Sequence, residues 1–299
     1  MDTINYPHCP ACESKQIKPF LAVKDYTVSG EIFEIWHCSN CTIRFTQNIP
    51  AESSISRYYV SENYISHTDT RKGFVNSLYH IIRKRTLTGK KELVKGETGL
   101  REGNLLDIGA GTGAFLHVMK MAGWKFTGLE PDETTRKRAY ELYGINLQNS
   151  ANLFDLPSAA FDAVTMWHVL EHVHALHNYL SQINKLLKPG GRLFVAVPNY
   201  TSADAKLYKE FWAAYDVPRH LYHFSPASMK TLLQKHGMKL TGIKPMWYDS
   251  FYVSMLSEQY KNGSSNIVQA FGNGLFSNFK ALSNAELCSS LIYIVSKNL

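Results

Sequence analysis

The sequence predicts an α/β fold: a doubly wound, mostly parallel sheet of seven strands with helices on both faces, preceded by a small metal-bound ribbon. Three observations carry this. From about residue 103 onward, apolar strand-like runs alternate with helical stretches, the pattern that lays parallel strands beneath crossover helices. Residues 105–116, LLDIGAGTGAFL, read as a buried strand, a glycine-rich turn and the start of a helix. Four of the five cysteines stand in two short pairs, Cys9-Pro-Ala-Cys12 and Cys38-Ser-Asn-Cys41.

Taken in chain order, residues 1–47 hold the cysteine pairs among short β-like runs (31–36 and 43–45). Two C-x2-C knuckles separated by 25 residues have the spacing of a tetrahedral, four-cysteine zinc ribbon, so Cys9, Cys12, Cys38 and Cys41 are expected to hold a structural Zn2+. Residues 48–102 form a helical cap or linker, in which Phe74, Leu78, Ile81 and Ile82 fall on one apolar stripe. Residues 103–299 are the α/β domain, with insertions at 199–225 and 248–289. Its strands are read as LLDIG, KFTGLE, INLQNS, AVTMWH, RLFVAVPN and the closing pair 239–247 and 290–296. Cys288 is read as a buried apolar residue in a helical run.

At 299 residues, 44% hydrophobic and 19% charged, the chain has enough apolar content for a packed core. No apolar run approaches the roughly 18 residues of a membrane span, and the N-terminus shows neither a basic nor an apolar leader region; a cytoplasmic protein is expected. Cysteine pairs of this spacing suit a metal in a reducing compartment better than disulfides. The net charge is +7, and residues 71–101 hold nine Lys/Arg against Glu92 and Glu97. Such a segment is either a solvated helix face or a site for an anionic partner: a substrate, a nucleic acid or a membrane surface.

The glycine turn alone fits a loose dinucleotide pattern, and it is not a phosphate-binding P-loop, because no Gly-Lys-Ser/Thr follows. Asp107, two residues before Gly109, would repel a pyrophosphate and welcome an ammonium group. Glu130, 19 residues after Gly111, stands where an acid accepts hydrogen bonds from ribose hydroxyls. The segment His168-Val-Leu-Glu171-His172 matches an inverted zinc-peptidase motif, but that motif needs its first histidine inside a helix. Here His168 follows the β-like run 163–167.

Four motifs in order (DIGAGTG, LEPD, FDAVTMWHVLEHV and LKPGGRLFVAVPN) make region 103–247 resemble the class I S-adenosylmethionine-dependent methyltransferases, in the small-molecule branch with the ubiquinone-pathway and sugar methyltransferases. The resemblance implies a Rossmann-like fold, with Asp107, Gly109, Ala110, Gly111 and Gly113 at the methionine end of S-adenosylmethionine. It also implies Glu130 and Pro131 at the ribose, Ser150 and Ala151 beside the adenine, and Trp167 and His168 near the sulfonium. For a hydroxyl acceptor, a histidine base suits neutral pH, and His172, His220 and His223 are the candidates. Asp216 and Arg219 in YDVPRHLYHF belong to a stretch common in that branch. Tyr200, Tyr208, Phe211, Trp212 and Tyr215 read as an aromatic wall or as core. No N/D-P-P-Y/F follows the fourth strand, which argues against methylation of an exocyclic nucleobase amine. The expected activity is methyl transfer to a sugar, quinone precursor or related metabolite, on oxygen or carbon. The alternatives are an RNA base methyltransferase gripping its strand through ribbon and basic helix, and a non-catalytic zinc-ribbon binding protein.

Overall fold

The structure is a computed structural model that describes residues 2–59, 74–264 and 266–297; for residues 74–81 it describes the backbone only. The N-terminal part is a small antiparallel assembly. Strand β1 (Thr3–Ile4) pairs with β5 (Ile49–Pro50), and β2 (Ile17–Lys24), β3 (Ile32–Cys38) and β4 (Arg44–Thr46) form a meander. Alternation drives β3 into place: Phe33 and Ile35 turn inward while Ile32 and Glu34 face out. Both knuckles close the same way. Glu13 N donates to Cys9 O and Thr42 N to Cys38 O, each at 2.9 Å, with Glu13 and Thr42 in the left-handed region.

After a 3-10 turn (Ile55–Tyr59), helix α1 (Phe74–Thr98) leads into the α/β body. There follow β6 (Asn104–Ile108), α2 (Ala114–Met121), β7 (Lys125–Leu129), α3 (Glu133–Tyr143), β8 (Phe161–Trp167), α4 (Leu176–Leu186) and β9 (Leu187–Pro198). Next come α5 (Ala203–Tyr208), β10 (Tyr222–His223), α6 (Pro226–Lys235), β11 (Met238–Pro245), α7 (Asp249–Asn262), α8 (Ile267–Ser283) and β12 (Ser290–Lys297). The main sheet runs β11-β12-β9-β8-β6-β7; β7, β6, β8 and β9 pair in parallel, and β12 is antiparallel to both its neighbours. Leu105, Leu106, Ala163, Val164 and residues 193–197 are fully buried, as strands covered on both faces require.

The fold class stands as the sequence implies, with one change in strand count. Among the described residues this sheet has six strands. The third expected strand, INLQNS, contributes only a parallel bridge between Leu129 and Gln148. The reason is local: the Asn149 side chain accepts from Ala151 N and turns the chain at once into a 3-10 helix, Ser150–Asp155. Strand β11 stops at Pro245, short of Trp247, and Cys288, although buried as expected, sits in a bend before β12 and not in a helix. Of the expected helical region 51–100, residues 60–73 lie outside the described residues, as do the side chains of Phe74, Leu78 and Ile81.

Two features tie the N-terminal assembly to the body. Strand β10 adds to the edge of β4, so the small sheet runs β10-β4-β3-β2. Cys9, Cys38, Cys41, Ile43 and Phe45 also share one core cluster with Leu170, Val173, Tyr222 and Phe224. Strand order reverses at β6, between β7 and β8, so the crevice for a ligand opens at the C-terminal ends of these strands.

Candidate active site

The crevice is built first by backbone. Gly109 and Gly111 follow β6 with φ of 71° and 53°, a region costly for other residues. A Cβ on Gly109 would lie 2.4 Å from Val169 Cγ2, whereas beside Gly111 there is open space. Gly109 N and Ala110 N both donate to Leu129 O, clamping the turn onto the end of β7, and Gly113 N donates to Ala110 O. Glu130 completes the turn: its carboxylate accepts from Gly111 N at 2.9 Å and from Asp132 N at 3.2 Å, while burial holds its pKa above the ordinary value. Pro131 O accepts from Arg136 Nη1 at 2.6 Å, and Ser150 and Ala151 open the 3-10 helix beside the β7 end.

Asp107 ends buried beneath this turn. Thr165 Oγ1 donates to its Oδ1 at 2.6 Å, and burial lifts its pKa to about 7 against the pull of Lys90. Lys90, from α1, places Nζ 4.2 Å from the centre of the Trp167 ring; burial lowers its pKa, and Asp107 and Asp249 oppose that. A carboxylate and an indole face thus attend the Lys90 ammonium, and burial outweighs both. Trp167 packs edge-on against Phe115, and its buried Nε1–H has no acceptor among the described residues.

His168 follows β8 with φ of 58°, and both ring nitrogens are engaged: Nδ1 lies 3.3 Å from Glu171 Oε1 and Nε2 lies 3.0 Å from Asp249 Oδ2. Burial opposes its charge, but the bonds to Asp249 and Glu171 prevail and raise the pKa to about 10. The ring is therefore an imidazolium joining α7 to the end of β8. Residues 170–172 form a 3-10 turn, not the α-helix a zinc peptidase needs, so that motif is excluded.

Three segments converge around His172. Its Nδ1 lies 3.0 Å from Arg219 O and 3.1 Å from the Tyr59 hydroxyl, and burial together with His220 depresses its pKa to about 4. The His220 ring stands edge-on 4.6 Å away, with Nδ1 2.8 Å from Ala214 O and Nε2 3.9 Å from Asp216 Oδ2. A carbonyl only accepts, so His220 carries its proton on Nδ1 and leaves Nε2 as the basic atom. Glu171 is fully buried, and its Oε2 has no partner among the described residues. Glu171, His172 and His220 present ligand atoms within 4.8 Å of one another, a set that could also hold a divalent ion.

Arg219, almost fully buried, fixes this cluster. It donates to Asp216 through Nε and Nη2, to Asp25 through Nη2 at 2.9 Å and to Tyr58 O through Nη1 at 2.8 Å. His223 has another task. Thr46 Oγ1 gives its one proton to His220 O at 2.7 Å, so the 3.2 Å contact with His223 Nε2 is a bond donated by the histidine. His223 is thus engaged where β10 meets β4. Tyr200, Tyr208, Trp212 and Tyr215 are buried in a second core cluster.

The four ribbon cysteines lie together, with Cys9 Sγ 3.6 Å from Cys41 Sγ, Cys12 Sγ 3.6 Å from Cys38 Sγ, and all four sulfurs within 4.8 Å. This is a closed, all-sulfur set of the kind that suits structural zinc. Sequence reasoning missed Asp25, Tyr59, Lys90 and Asp249. None sits in a motif, and only Lys90 had a signal, as one of many basic residues on α1.

Residues 79–242 match a family described as a methyltransferase domain. The chain is 27% identical over 187 residues to the ubiquinone biosynthesis O-methyltransferase of Nitrosococcus oceani, a match spanning 58% of this chain and 76% of the relative. It is 27% identical over 136 residues to the demethylmenaquinone methyltransferase of Tropheryma whipplei, spanning 44% of this chain and 57% of that one. Its fold is similar to that of the magnesium protoporphyrin IX methyltransferase of Synechocystis, solved with bound S-adenosylhomocysteine: TM-score 0.52 at 15% identity, over 83% of this chain and 100% of the other.

Proposed function

The chain belongs to the methyltransferase domain family, and on that premise we propose that it transfers the methyl group of S-adenosylmethionine to a hydroxylated, quinone-related small molecule. The observation that carries the cofactor reading is the pairing of a buried carboxylate and an indole face with a glycine turn closed by an acid. Asp107 and the Trp167 face lie beside the Lys90 ammonium, open space adjoins Gly111, and Trp167 Nε1–H lacks an acceptor among the described residues. These residues fit a ligand with a cationic amino-acid end. In this reading Asp107 and the 109–113 turn hold that end, Glu130 and Pro131 the ribose, Ser150 and Ala151 the adenine, and Trp167, with His168 behind it, the sulfonium region.

Bound S-adenosylmethionine supplies a methyl carbon already activated by its sulfonium, so the protein's part is alignment and proton removal. His220 is the base: Nδ1–H on Ala214 O fixes the tautomer, Nε2 takes the acceptor proton, and Asp216 stabilises the imidazolium formed. His172, neutral at pH 7, packs against it and orients it. The names of the relatives support a quinone-type acceptor. Cys9, Cys12, Cys38 and Cys41 hold structural Zn2+. No helix among the described residues is long and apolar enough to cross a membrane, and we place the protein in the cytoplasm. The basic residues of α1 favour an anionic acceptor, and the small-molecule names of the relatives favour that over nucleic acid.

Incubation with methyl-labelled S-adenosylmethionine and dihydroxylated benzene or quinol acceptors tests this. Labelled methyl ether is expected, lost in His220→Ala with cofactor affinity unchanged. Label entering RNA, with affinity falling steeply with salt, would move the assignment to nucleic acid. Absence of cofactor binding would overturn it altogether.

A further inference from the structure

Helix α8 is built inside out. Its inward positions are small, Ala270, Gly274, Ser277 and Ala281, while Ile267, Val268, Phe271, Leu275, Phe276, Phe279 and Leu282 point outward. Val268 is 83% exposed, Phe279 68% and Leu282 73%, the reverse of the amphipathic pattern of a helix that covers a core.

The orientation is enforced. Ser277 Oγ donates to buried Asp204 at 2.8 Å, and Asn273 Nδ2 donates to the Tyr208 hydroxyl at 2.9 Å and to Glu258 at 3.0 Å. Asn278 Nδ2 donates to Trp247 O at 2.8 Å while its Oδ1 accepts from Ser250. A Cβ on Gly274 would come within 3.0 Å of Phe251 Cα, so α7 and α8 meet nearly backbone to backbone. Rolling α8 to bury its large side chains would break all of these contacts. The outward apolar face is therefore a built surface.

Charge says what covers it. Residues 259–285 contain Lys261 and Lys280 and no carboxylate. Lys280 reaches over the Phe276 ring at 5.5 Å, an aliphatic stem lying along apolar surface with its ammonium beyond. The flanking carboxylates are Glu258, buried on Tyr208 and Asn273, and Glu286, beyond the helix end. Trp247 and Tyr248, partly exposed just before α7, supply the amphipathic rings that favour a water–lipid boundary. Pairing this face with a second copy would leave Lys280 with no acid on the helix to meet it.

We propose that the outer face of α8 docks on an anionic phospholipid surface, lying in the interface with Lys280 at headgroup level. This goes beyond methyl transfer and is read without cofactor or acceptor.

The test is flotation of the full chain with vesicles of equal parts phosphatidylglycerol and phosphatidylcholine. The wild type should float with these vesicles and much less with phosphatidylcholine alone. The double substitution Phe271→Ser, Phe279→Ser should lower the bound fraction by roughly tenfold or more. Lys280→Glu, which disturbs no packed residue, should lower it several-fold on anionic vesicles only. Wild type that stays unbound, or a double variant that floats as well as wild type, overturns the proposal. A dimer seen by sedimentation and dissolved by the double substitution, without vesicle binding, overturns it in favour of a second copy.

Discussion

At the turn after β6, 24 consecutive residues from Asp107 to Glu130 build the half of the site proposed for the cofactor, and their own backbone N–H groups hold the turn together. Around His172 and His220, the proposed acceptor half draws on Asp25, Thr46, Tyr58, Tyr59, Ala214, Asp216 and Arg219, from four separate stretches of chain. The first half is local and tolerates distant change. The second depends on the ribbon, because Asp25 and Thr46 belong to it. Damage to the ribbon should therefore silence acceptor chemistry while sparing cofactor binding, and damage to the turn should do the opposite.

Arg219→Ala should do the most harm, because it strips the counterion from Asp25 and Asp216 in a buried place. Urea denaturation should show a loss of about 3–5 kcal/mol; a loss below about 1 kcal/mol would mean the cluster is not held by this residue. Cys38→Ser comes next. It should abolish zinc retention and reduce methyl transfer about a hundredfold, through the loosened Thr46 and Asp25, while the dissociation constant for S-adenosylmethionine stays within about threefold. Equal losses of both would erase the distinction between the halves. Gly109→Ala should do the converse, forcing a Cβ into Val169 at positive φ for about 1–3 kcal/mol of strain, felt as weaker cofactor binding with zinc content intact.

A subtler difference between the halves lies in pH. Asp107 has a folded pKa near 7, far above its unfolded value, so ionising it costs the fold, and stability of the ligand-free chain should fall as pH rises from about 4 through 7. An ammonium group binds the ionised form. Cofactor affinity should therefore weaken as pH drops below about 7, approaching tenfold per pH unit, with proton release on binding near neutrality. Calorimetry in buffers of different ionisation enthalpy checks this, and Asp107→Asn should flatten the profile.

The same contrast governs what could be read in advance. Strand runs, the glycine turn, the acid 19 residues on and the cysteine pairs are short-range patterns whose physics is complete within a few residues, and the fold class follows from them. The acceptor half is not legible in that way. Nothing around Asp25 announces that Arg219 will reach it, and a two-residue strand pairing β10 with β4 carries no periodicity. His223 looks like His220 in sequence, yet its ring meets Thr46 and Tyr215 while that of His220 meets His172 and Ala214. The INLQNS run has strand propensity, but Asn149 caps a 3-10 turn first. Lys90 belongs by charge to a basic face, yet the packing of α1 turns it over Trp167.

The cofactor site is the premise of the proposed methyl transfer, and calorimetric titration of S-adenosylhomocysteine into the full chain and into Glu130→Ala probes it without any acceptor. One saturable site is expected on the wild type and a ten- to hundredfold weaker one on the variant, at about 1.4 kcal/mol per tenfold. Wild type that does not bind, or a variant of unchanged affinity, would contradict the cofactor site described here.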